Sequence, residues 1–131
     1  VLPVTQTILH SDPSGRLGNC LQAAVASLLE LPIEDVPHFV QHDDWLERLA
    51  AFCLEHGYQA VICDPDAYVA YGMAWGRSPR GVRHAVVWAD GGMAWDPHPS
   101  REGLEQVTEL IAFEPIHARP MSPAPSEETP L

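Results

Sequence analysis

Apolar and polar positions divide the chain into a helical first half and a stranded second half. Residues 1–19 form an irregular lead-in, in which Val4-Thr5-Gln6-Thr7-Ile8 has the make-up of a short strand and Ser11-Asp12-Pro13-Ser14-Gly15 is turn chemistry. Over residues 20–30, Leu21, Ala24, Val25, Leu28 and Leu29 recur at helical spacing, and beyond Cys20 only Gln22, Ser27 and Glu30 are polar. A helix apolar around most of its circumference belongs inside a domain. Asn19 is the expected N-cap, Pro32 ends the helix or opens the next turn, and residues 33–36 read as one helical turn. A second helix is expected over residues 45–56, capped by Asp43 or Asp44 and stopped by Gly57. Trp45, Leu46, Leu49, Phe52 and Cys53 make its apolar stripe, while Glu47, Arg48 and Glu55 face water.

Beyond Gly57 the period falls to two. Residues 58–63 read as a strand, 64–66 as a turn, 67–75 as a second strand and 76–81 as a loop. Residues 83–89 and 93–96 form a hairpin about Asp90-Gly91-Gly92, and residues 107–116 a last strand. Helices first and antiparallel strands afterwards predict an α+β domain with its helices on one side of the sheet. From residue 118 the composition turns to Pro, Ser and Glu. The expectation is one folded domain over residues 1–117 and a disordered tail over 118–131.

A length of 131 residues with 46% hydrophobic content is enough for one core without disulfide or metal support. The net charge of −11 and the absence of lysine make phosphate backbones and anionic lipid poor partners, so neither nucleic acid nor membrane is expected. No stretch of about 18 apolar residues is present. No positively charged start precedes an apolar run, so no signal peptide is visible. Cys20, Cys53 and Cys63 are odd in number and form no disulfide framework, which fits a reduced, cytoplasmic setting. A free thiol there is either a core residue or a reactive group.

Three pieces carry candidate chemistry. Cys20 opens the first helix, where the macrodipole and unpaired N–H groups favour a thiolate and can receive an oxyanion. His84 opens an otherwise apolar strand, where burial alone does not explain a hydrogen-bonding ring. Asp96 closes the next strand, and the hairpin brings it opposite residue 85 or 86, within reach of His84. A carboxylate so placed can fix the ring's tautomer and stabilise imidazolium. Cys on a buried helix, His opening a strand and an acid closing the next is the chain order of papain-like enzymes.

Gly18-Asn19-Cys20-Leu21-Gln22-Ala23-Ala24-Val25-Ala26-Ser27-Leu28-Leu29, His84-Ala85-Val86-Val87-Trp88 and Met93-Ala94-Trp95-Asp96-Pro97 carry the likeness. They resemble the papain-like cysteine peptidase superfamily, in particular the bacteriocin-leader-processing branch and its small bacterial and phage relatives. The resemblance implies a central N-terminal helix on an antiparallel sheet. It also implies an acyl-enzyme mechanism with Cys20 as nucleophile, His84 as base and Asp96 as orienting acid. The expected activity is hydrolysis of a peptide or small amide without a cofactor. An acyl- or amidotransferase with the same triad, and a papain-like binding module without turnover, are the alternatives. Such enzymes usually carry an oxyanion glutamine about six residues before the cysteine. Ser14 stands there, so Gln6 is carried over as the donor, with Asn19 as its rival.

His98, Trp95 and Arg83 are candidates for a substrate groove. Arg77, Arg80 and Arg83 either hold an acidic substrate group or balance local charge. Trp75, Trp88 and Trp95 are expected on or near the sheet. His38 and His42, four apart, read as loop histidines rather than metal ligands.

Overall fold

The first helix, α1 (Cys20–Leu29), buries eight of its ten residues, from Cys20 to Leu28 with only Gln22 partly exposed, as its nearly all-apolar sequence dictates. It ends where Glu30 turns left-handed at φ 58° and the Leu31 N–H closes onto the Ala26 carbonyl. The computed structural model describes residues 1–10 and 12–116; the expected tail lies outside the described residues. Short 3₁₀ turns at Ile33–Asp35 and Phe39–Gln41 lead into α2 (Trp45–Glu55), which buries Leu49 and Cys53 and is followed by left-handed Gly57.

Five strands follow: β1 (Tyr58–Cys63), β2 (Tyr71–Arg77), β3 (Arg83–Ala89), β4 (Gly92–Trp95) and β5 (Gln106–Pro115). They form one antiparallel sheet in the order β1-β5-β2-β3-β4. Both helices pack on one face, α1 over β3 and α2 over β1. There Leu21, Val25 and Leu28 meet Phe39, Leu49, Met73, Val87, Ile111 and Phe113. The opposite face gathers Val69, Ala74, Val86, Leu110 and Ala112, with Ala67 and Leu104 from loops packed against them. The molecule is therefore α+β, with its helices on one side of the sheet, as the order of periodicities predicts.

Three local expectations are corrected. Residues 4–8 are not a strand. Their backbone is held by the Ser27 hydroxyl at Val4, the Pro97 carbonyl at Gln6 and the Asn19 side chain at Thr7 and Ile8, not by a ladder. The second strand starts at Tyr71 rather than 67, because the Val69 and Ala70 carbonyls accept from Gly91 and Asp90 in the β3–β4 turn. It also runs on to Arg77, which shortens the following loop. The N-caps lack side-chain bonds to the helix backbone: the Asn19 amide bonds the lead-in and the Gln22 side chain, and Asp44 pairs with Arg48 at 2.6 Å. Among the described residues no helix is long and apolar enough to cross a membrane.

Candidate functional site

Cys20 lies at the N-terminus of α1, 8% exposed, and faces a cleft of about 570 Å³. Its position follows from the sequence: the apolar run that begins at Leu21 pulls the helix into the core and leaves the first residue at the core's edge. Asn19 places the entering chain. Its Oδ1 accepts from the Thr7 and Ile8 N–H groups at 3.0 and 2.8 Å, and its Nδ2 donates to Thr7 Oγ1 and Gln22 Oε1. The amide is thus consumed in holding residues 7–8 beside the helix. Asn19 does not line the cleft, which removes it as an oxyanion donor.

His84, at the start of β3, is 3% exposed, and its Nε2 lies 2.6 Å from Oδ1 of Asp96, itself 1% exposed. The hairpin delivers this meeting. Val87 pairs with Trp95, so Asp96 emerges opposite the start of β3 after a bulge in the β3–β4 ladder. The Asp96 carboxylate also accepts from the His98 N–H at 2.9 Å and the Gly103 N–H at 2.7 Å. Burial opposes its charge. The bonds from His84, His98 and Gly103 outweigh burial and hold the carboxyl down at about 2.

With Nε2 engaged by Asp96, Nδ1 is the nitrogen left to meet the thiol. Burial alone would strip the His84 ring of its proton. The Asp96 bond, the neighbouring Cys20 thiol and their negative charges reverse this and push the ring up to about 9. Among the described residues only Asp96 makes an aligned hydrogen bond to the ring. The arrangement can hold an imidazolium beside a thiol in a largely dry site. The remaining cysteines differ in kind: burial pushes Cys53 up to about 12, and Cys63 lies partly buried on β1.

Gln6 reaches the same cleft although it lies fourteen residues before Cys20 in the sequence. Its backbone N–H is tied to the Pro97 carbonyl, its Nε2 donates to the Ile8 carbonyl at 2.9 Å, and its buried Oε1 has no partner among the described residues. His98 and Arg83 also line the cleft. The His98 ring stands edge-on to that of His84 at 6.0 Å and bonds the Ser100 hydroxyl. Burial, then the charges of Arg80 and His84, hold His98 below the usual imidazole range. Trp95 does not line the cleft. Its indole N–H donates to the Val4 carbonyl, and Arg101 stacks on its ring at 4.1 Å, so it is a structural clasp.

The sequence reading missed the cleft's apolar walls. Leu17, Val40, Trp45 and Trp75 line it, and the two indoles pack at 5.9 Å between centroids. It also missed Arg101, which donates to the Asp96 and His98 carbonyls and to Thr5 Oγ1, joining the lead-in to the loop that carries Asp96. Leu17, Val40 and Trp45 come from a loop, a 3₁₀ turn and a helix start, and Trp75 from near the end of β2, where no periodicity marks an apolar residue as lining a cleft. His38 bonds the Leu17 carbonyl through Nε2. Among the described residues no group of three His, Cys, Asp or Glu side chains gathers as a metal site. No family model, no curated protein and no solved structure matches this chain.

Proposed function

We propose that this protein is a papain-like cysteine hydrolase that cuts amide or peptide bonds through an acyl-enzyme. The observation that carries the reading is the buried pair of His84 and Asp96 at 2.6 Å, set beside a helix-N-terminal Cys20 in one cleft. In this mechanism the Cys20 thiolate attacks the carbonyl carbon and forms the C–S bond. The Cys20 N–H and the Gln6 amide stabilise the oxyanion. The His84 imidazolium gives its proton to the leaving nitrogen as the C–N bond breaks. Neutral His84 then takes a proton from water, whose oxygen attacks the thioester, and Cys20 leaves as the thiolate. Asp96 keeps the ring in place through both steps. With an amine in place of water the same steps make an acyl- or amidotransferase. A free thiol of this kind persists in a reducing, cytoplasmic setting.

A second reading, a binding module that keeps the fold without turnover, draws on one observation: Gln6 donates to Ile8 rather than standing free. Iodoacetamide labelling followed by intact-mass analysis separates the two. In a hydrolase, Cys20 reacts ahead of Cys53 and Cys63 at pH 7, and His84→Ala slows the reaction. A peptide library should yield products that are absent with Cys20→Ala. A Cys20 that reacts no faster than Cys63, together with no cleavage, sinks the hydrolase and leaves the module.

A further inference from the structure

Among the described residues, four of the six arginines are neutralised from within. Arg16, Arg48, Arg77 and Arg80 pair with Asp12, Asp44, Glu105 and Glu102, and Arg101 donates to backbone carbonyls. The cluster before His84 therefore splits: Arg77 and Arg80 balance local charge, and Arg83 does not. Arg83 has no acidic partner and no hydrogen-bond acceptor among the described residues. Its guanidinium carbon lies 5.0 Å from the centre of the Trp75 ring, and the residue lines the cleft that holds Cys20 and His84. A guanidinium held over an indole keeps N–H donors for a planar carboxylate.

The geometry points to a substrate that carries a free carboxylate next to an apolar group. The carboxylate bonds Arg83 at the cleft wall, and the apolar group seats against Leu17, Val40, Trp45 and Trp75. This rests on the reading of the cleft as the substrate site and narrows the substrate class to anionic, apolar acyl-amides or peptides. Arg80 and His84 also line the cleft but are engaged by Glu102 and Asp96, which leaves Arg83 to meet a singly charged carboxylate. A chain of net charge −11 repels anions at long range, so an exposed guanidinium without an acidic partner at the cleft wall acts as a local selector.

The test separates binding from turnover. Unreactive ligands are titrated by NMR at low salt into Cys20→Ala: N-acetylphenylalanine, an anion at pH 7.5, and its neutral partner N-acetylphenylalaninamide. The acid is expected to bind about tenfold more tightly than the amide, the scale of one charge-assisted hydrogen bond. Adding Arg83→Gln should bring the ratio to about one, whereas Arg83→Lys, which keeps the charge but not the planar fork, should keep only part of it. Arg77→Gln, outside this cleft, should leave it unchanged. Equal binding of acid and amide, or a preference that survives Arg83→Gln, overturns the proposal. Tighter binding of phenyl phosphate than of N-acetylphenylalanine overturns the carboxylate assignment. Iodoacetamide labelling of the wild-type chain reads the hydrolase separately. Reactive Cys20 with no acid preference sinks only the selector, and inert Cys20 with a clear preference sinks only the hydrolase.

Discussion

Asp96 divides two oxygens among three donors: the His84 ring, the His98 N–H and the Gly103 N–H. Asp96→Ala would leave all three buried without an acceptor, and it should lower unfolding free energy in urea by about 3 kcal/mol. The pH dependence follows from the same pair. Folded His84 is pushed from 6.5 up to about 9, so its contribution is complete below 6.5 and is lost as pH rises through 9. Asp96 is pulled from 3.8 to about 2, so its contribution is complete above 3.8 and is lost as pH falls through 2. The urea midpoint should therefore decline between pH 6.5 and 9, and His84→Gln should flatten that decline whatever its cost at neutral pH. The meeting of His84 with Asp96 beside Cys20 was legible because each residue sits where a regular element begins or ends, and the hairpin register could be counted. Asn19 and Trp95 were misread because their polar atoms bond the irregular lead-in, whose path no periodicity encodes.

Between elements, two contacts carry most of the positioning. Ser27, inside α1, donates to the Ala23 carbonyl and accepts from the Val4 N–H, while its own carbonyl accepts from Leu2. It fastens the segment that presents Gln6. Ser27→Ala leaves the Val4 N–H without its acceptor and should cost about 1 kcal/mol, with faster amide exchange over residues 2–8 as the sharper readout. In the sheet, β2 and β5 slip register between Trp75 and Gly76, and a Cβ at Gly76 would collide with the Gln106 carbonyl. Gly76→Ala should destabilise the fold by about 3 kcal/mol in thermal melts. Gly92→Ala meets nothing within 4 Å and should stay within about 0.5 kcal/mol of wild type. Both helices and four of the five strands were legible nearly to their ends, from apolar runs or periodicity bounded by Gly, Pro and Asp turn residues. The start of β2 was not. Residues 67–70 have strand-like composition, yet their carbonyls serve the neighbouring turn.

Across the whole molecule, charge is the dominant stress. A net charge of −11 spread over one small domain opposes compaction. The exposed ion pairs that salt also weakens contribute little in return. Raising NaCl from about 0.01 to about 0.15 M shortens the screening length from roughly 30 to 8 Å, so the melting temperature should rise rather than fall. The sheet order has a consequence in time. β5, the last described strand in sequence, lies between β1 and β2, and β1 carries α2 with the Trp45 that walls the cleft. During synthesis on a ribosome, α1 can seat on β3 as soon as the hairpin is out, whereas β1 and α2 join the sheet only when β5 emerges. The Trp45 wall of the cleft is therefore set in place only after residue 115 has emerged, later than the meeting of the Cys20 helix with the His84 strand.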